Sequence, residues 1–193
     1  MSDVTSVLFV GVGGQGTILA SKILTIGLIE HGYDVKMSEV HGMSQRGGSV
    51  STQVRFGQKV YSPIIGEGSA DILVSFEEME AARYARFLKK GGKMVVNKTQ
   101  IPSLPVLSGA CQYPRGIIAE LKKHVPVRDL DATKIAIDLG NPKSANVVLL
   151  GALIEALGLH DIDWKSIIAK TVKPAFVDIN LKAFDAGMAA ARQ

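Results

Sequence analysis

Cysteine is nearly missing: Cys111 is the single one in 193 residues. No disulfide and no all-cysteine metal or iron–sulfur site can therefore form within the chain. Lying among Ala110, Gln112 and Tyr113, Cys111 is expected to be a small buried hydrophobe. Aromatic residues make up only 6% and are dispersed, and the basic residues are scattered at a net charge of +4. That excludes a basic stripe with stacking side chains, the footprint of a nucleic-acid face. The pairs Lys89-Lys90 and Lys122-Lys123 are each expected at a helix end, where cations oppose the helix dipole. No uninterrupted apolar run reaches about 18 residues, so no membrane span is expected. The N-terminus enters a strand without a basic region and long apolar run, so no signal peptide is expected and the protein is placed in the cytoplasm. Internal repeats and low-complexity tracts are missing too, and 47% hydrophobic against 21% charged residues suits one compact domain over residues 1–193.

Chemical signatures are equally sparse. There is no His-Glu-x-x-His, paired His/Cys or Asp-rich pattern, so no metal site is expected. Neither a G-x-S-x-G elbow nor a G-x-x-x-x-G-K-[ST] loop occurs. Glu77-Glu78 reads as helix-start charge rather than an acid/base pair. The chain lacks a complete catalytic set, which favours a subunit that completes a site housed elsewhere.

What is present begins with Ser6 to Val10, a continuous apolar run typical of a central parallel strand. Gly11-Val12-Gly13-Gly14-Gln15-Gly16 follows, then a helix over Thr17 to His31 stopped by Gly32. Strand, G-x-G-x-x-G and helix together offer a tight turn and free N–H groups to an anion. The acid that a dinucleotide site wants about 20 residues on has Glu39 as its only strand-end candidate. It comes late, so an anion-friendly turn and a simple tight packing turn both stand.

Further on, Ser49 to Phe56 alternates as a half-buried strand, and Gly57-Gln58 predicts a short hairpin back through Lys59-Val60-Tyr61. Ala70 to Phe76 and Lys93 to Asn97 read as core strands around a helix from Glu77-Glu78 to about Leu88, with Gly91-Gly92 as the turn. Ile101 to Tyr113 is irregular. A helix over Arg115 to His124, an edge strand over Val125 to Leu130 and helices over 132–138, 144–157, 163–169 and 174–191 complete the chain. The fold class is α/β: a Rossmann-like, mostly parallel sheet with an inserted β-hairpin and a helical C-terminal region. The small-residue-rich stretch Ser144 to Leu157 is suited to tight packing in the core or on a second subunit.

Only at Ser38 to Val50 do an acid, an imidazole, an amide and a guanidinium crowd together between glycines: Glu39, His41, Gln45 and Arg46 with Gly42, Gly47 and Gly48. Loops on rigid strands commonly carry chemistry, and the glycines allow close approach of a ligand or another chain. The competing reading is a surface turn with solvated charges. Of the four histidines, His31, His124 and His160 sit at helix ends or turns; His41 alone has chemical company.

The segments VLFVGVGGQG, SEVHGMSQRGGSV, YSPIIGEGSADILVSFE, GNPKSANVVLLGALIEALG and NLKAFDAG resemble, in order and over nearly the whole chain, the gamma-type component of 2-oxoacid:ferredoxin oxidoreductases. The central loop is most similar to that of the small beta subunit of indolepyruvate ferredoxin oxidoreductase. The resemblance implies a hetero-oligomer with a large subunit carrying thiamine diphosphate and iron–sulfur clusters, inactive as the small subunit alone. Such a pair decarboxylates aryl pyruvates oxidatively with coenzyme A and reduces ferredoxin. By motif position, Glu39, His41, Gln45, Arg46, Gly47 and Gly48 would face the large subunit near its active site. Gly11, Gly13, Gly14 and Gly16 keep the glycine turn, where a coenzyme A phosphate could rest. Arg46 between glycines could fork onto a carboxylate or phosphate.

Overall fold

The computed structural model describes residues 4–41 and 47–192. In chain order the strands are β1 (Thr5–Val12), β2 (Asp34–His41), β3 (Ser49–Gly57), β4 (Ala70–Ser75), β5 (Leu88–Asn97) and β6 (Val127–Leu130). The helices are α1 (Thr17–Glu30), α2 (Glu78–Tyr84), the short α3 (Leu104–Leu107), α4 (Ile117–His124), α5 (Ala132–Asp138), α6 (Ala145–Leu157), α7 (Trp164–Thr171) and α8 (Val177–Arg192). The strands form a sheet of order β2-β3-β1-β4-β5-β6. β1, β4, β5 and β6 run parallel, whereas β3 runs antiparallel to both of its neighbours, β1 and β2.

Side chains alternate across β1. Val7 and Phe9 face a core completed by α1 and α6, while Leu8 and Val10 face a smaller one with Ala81 of α2. Covering on both faces is what a continuous apolar strand requires. Helix α6 is apolar nearly all round, and Val147 to Ile154 are fully buried or nearly so. Burying each such leucine or isoleucine contributes about 1.5–3 kcal/mol. The tight packing expected of this segment is realised inside the chain, against α8. A Cβ added at Gly187 would collide with the Val148 carbonyl oxygen, and one at Gly151 with that of Phe184.

Several local expectations are corrected. The inserted hairpin is β2–β3, with Asp34 opposite Gly57 and His41 opposite Val50; Lys59 to Tyr61 is not a strand. Both edges of β3 are already paired, so a third segment has no ladder to join. The Val60 amide donates instead to Asp34 Oδ2 at 2.9 Å. Lys89-Lys90 lies in β5, not at a helix end, because the helix stops at Tyr84 and a 3-10 turn, Ala85–Phe87, leads straight into the strand. There Lys89 pairs with Asp71. Gly91 and Gly92 fall inside β5 at a register shift, where a Cβ on Gly92 would meet Leu88 Cγ at 2.8 Å. Cys111 is exposed rather than buried; its segment lies outside the sheet and presents Leu104 and Leu107 to solvent as well. Asp163 caps α7 through the Ser166 amide, as read from the sequence, whereas Pro174 opens a 3-10 turn, Pro174–Phe176, and the final helix starts only at Val177.

Candidate functional site

At the C-terminal ends of β1 and β4 the glycine turn meets the root of the β2–β3 hairpin. The Gly13 amide donates to the Gly48 carbonyl at 2.8 Å, and the Gly47 amide returns to the Gly13 carbonyl at 3.3 Å. The ladder thus continues one step beyond the Val12–Ser49 pair. A groove of about 340 Å³ opens beside it, lined by Gly13, Gly14, Gly16 and Glu39 with Ile18, Val40 and Val50 among others. Ile18 and Val40 are more than half exposed there. The structure therefore brings Gly13, Gly14, Gly16, Glu39, Gly47 and Gly48 together. Gly11 lies one step back, within β1. His41 ends β2 opposite Val50. Gln45 and Arg46, with Gly42, lie outside the described residues.

The turn is also closed from within. The Gln15 side chain accepts from the Val12 amide at 2.8 Å and donates to the Phe76 carbonyl at 2.8 Å, bridging the ends of β1 and β4. A Cβ on Gly11 would approach Gln15 Oε1 and Phe76 Cβ at 2.9 Å each. Gly16 takes a left-handed φ of 81° as the N-cap of α1, and a Cβ there would stand 2.5 Å from Asn146 Nδ2. Asn146, at the start of α6, donates to the Gly16 carbonyl at 3.2 Å, while its buried Oδ1 has no partner among the described residues. Internal packing therefore accounts for glycine at 11 and 16 without a dinucleotide. The Gly13 and Gln15 amides are both bonded within the fold.

Sequence reasoning missed a carboxylate pair on α2. Glu77, 1% exposed, caps the helix by accepting the Glu80 amide at 2.9 Å; its other oxygen takes the Ile101 amide at 3.1 Å and the Tyr113 hydroxyl. The Tyr113 hydroxyl in turn accepts from the Met79 amide. Burial first, then the hydrogen bond to Glu77, pushes the Tyr113 phenol well above its ordinary range. Glu80, 4% exposed, accepts from the Ser49 hydroxyl and pairs with Arg83 Nε at 3.1 Å. Burial lifts its carboxyl above 4.5, against the Ser49 and Arg83 contacts that pull it down. A sequence signal existed in the spacing of Glu77 and Glu80, cap and third helical position. Nothing local could show that both would be roofed over by Tyr113 and the hairpin.

The geometry defines a class: a Rossmann-like α/β domain whose glycine turn is bridged by the Gln15 side chain and bonded to the end of an inserted β-hairpin. Residues 6–190 match the pyruvate ferredoxin/flavodoxin oxidoreductase family, and the chain belongs to it. It is 43% identical, over 97% of its length and 96% of the relative's, to the indolepyruvate oxidoreductase subunit IorB of Pyrococcus horikoshii. Among solved structures it shares its fold with the gamma subunit of a keto/oxoacid ferredoxin oxidoreductase from Geobacter sulfurreducens. The TM-score is 0.73 at 24% identity, over 97% of this chain and 98% of that one. The 2-oxoglutarate:ferredoxin oxidoreductase of Magnetococcus marinus, with 2-oxoglutarate, coenzyme A and succinyl-CoA bound, contains the same fold. There the TM-score is 0.74 at 22% identity, over all of this chain and 32% of that one.

Proposed function

We propose that this chain is the small subunit of an indolepyruvate-type 2-oxoacid:ferredoxin oxidoreductase, working in the cytoplasm as part of a hetero-oligomer. The observation that carries the reading is the end-to-end likeness to a subunit of that name. The match over residues 6–190 supports treating the chain as one gamma-type domain. The reaction implies thiamine diphosphate and iron–sulfur clusters, and the clusters call for several cysteine donors. The chain has one cysteine, and among the described residues no group of three or more His, Cys, Asp and Glu is placed to hold a metal ion. In this reading those cofactors belong to the large subunit and supply carbanion chemistry and electron transfer. The pair converts an aryl pyruvate and coenzyme A to an aryl-acetyl-CoA and carbon dioxide, passing two electrons to ferredoxin.

This chain's part is the hairpin tip. Glu39, His41, Gln45, Arg46, Gly47 and Gly48 face the large subunit near its site. Arg46 holds an anionic group of the oxo acid or of coenzyme A through its guanidinium fork. Gly11, Gly13, Gly14 and Gly16 shape the turn on which the tip stands and offer the N-terminus of α1 to a coenzyme A phosphate. Co-expression with the native large subunit and assay with indolepyruvate, coenzyme A and ferredoxin test the reading. Turnover is expected from the pair and from neither chain alone. Replacing Arg46 with Ala is expected to raise the KM for one anionic reactant about tenfold. A pair inert towards 2-oxo acids, or a small chain active by itself, would overturn the assignment.

A further inference from the structure

The root of the hairpin tip is fixed from two sides. Towards the glycine turn the bonds are backbone rungs, Gly13–Gly48 and Gly47–Gly13. Towards α2 the tie is made by side chains: Ser49, the first residue of β3, gives its hydroxyl to Glu80, and the Tyr84 hydroxyl lies 3.4 Å from Ser49 Oγ. Glu80 is not needed to cap α2, because Glu77 does that. Nor is a carboxylate a good filler for the space. Taking it out of water costs several kcal/mol before partners repay it, and an apolar side chain of similar size would avoid that cost. What the carboxylate adds is direction. Arg83 holds one oxygen, leaving the other aimed at Ser49. The first turn of α2 is itself anchored, since Glu77 binds the Glu80 amide on one side and Ile101 and Tyr113 on the other.

We propose that Glu80 is a positioning residue: by fixing the Ser49 hydroxyl it sets how Gly47 and Gly48 enter β3, and so how this end of the hairpin meets the large subunit. The inference rests on the subunit reading above. Its test uses the complex with the native large subunit. S49A and E80A are each expected to lower kcat/KM for the 2-oxo acid about five- to tenfold, the loss of one hydrogen bond. The change should lie mainly in KM, with co-elution of the subunits retained. S49T, which keeps the hydroxyl, is expected to restore the parent value, and the S49A/E80A double variant to be no worse than the poorer single. Should E80A fail to fold, E80Q and S49A carry the comparison, because the amide oxygen of glutamine still accepts from Ser49 and E80Q should stay close to the parent. Parent-like kinetics in S49A, or no rescue by S49T, overturns the proposal. A parent complex without turnover would instead fail the subunit reading. Glu80 would then be judged by the affinity of the parent, S49A and S49T for the large subunit: a loss that S49T restores supports the proposal, and equal affinities overturn it.

Discussion

Glu80 carries a pH signature besides its geometric one. Its carboxyl titrates above 4.5 in the fold, chiefly through burial. With the folded value above the unfolded one, the ionised carboxylate opposes folding at neutral pH. That cost fades as pH falls through the folded value and is gone below 4.5. The Tm of E80Q minus that of the parent is therefore expected to decline as pH is lowered from neutral towards that value. Parallel Tm curves across this range would refute it. Gly16 makes a second residue-scale case. Alanine there meets both the left-handed backbone and Asn146, so G16A is expected to cost about 2 kcal/mol, a fall of roughly 4–8 °C in Tm. The need for glycine at 16 is legible in the G-x-G-x-x-G spacing. Its physical cause is not, because Asn146 is 130 residues away in sequence. Cys111 departs from its expected burial for a related reason: apolar neighbours in sequence do not bury a residue whose whole segment stands off the sheet.

Among elements, the strands and helices with strong periodicity are legible, since their apolar faces are local facts about the chain. The hairpin is only half legible. The alternation of β3 shows in Ser49 to Phe56, but the sequence offers two neighbours for it, and Lys59 to Tyr61 is the nearer. β2 wins because its eight residues pair with β3 in continuous register while β1 takes the other edge. The contact of α6 with α8 gives the sharpest element-scale expectation. With a Cβ on Gly187 falling 1.9 Å from the Val148 carbonyl oxygen, G187A must push two buried helices apart. It should cost about 3 kcal/mol or more and lower Tm by roughly 10 °C, measured by calorimetry. A change within error would mean the helices are not that close in solution.

For the whole molecule, the α/β class, the parallel half of the sheet and the helical C-terminal region are legible in the order and periodicity of the apolar runs. Which residues surround Glu39 and Ser49 is not legible in the sequence, because the fold alone brings residues 11–16, 39, 47–49 and 80 to one end of the sheet. Among the described residues no helix is long and apolar enough to cross a membrane. A nucleotide-binding protein would be stabilised by its ligand in proportion to affinity; the isolated chain is expected to show no rise in Tm with NAD(P) or FAD. A clear rise would reopen that alternative.

Doubly wound folds offer small molecules a berth where the strand order reverses, outside the carboxyl ends of the strands. Here Gln15 lies across that opening like a crossbar, bonded to β1 on one bank and to the residue after β4 on the other. That crossbar ties the two strands together at the reversal point, while the groove lined by Gly13, Gly14, Gly16 and Glu39 lies open beside the turn, so one glutamine steadies both the rim of that groove and the footing of the hairpin.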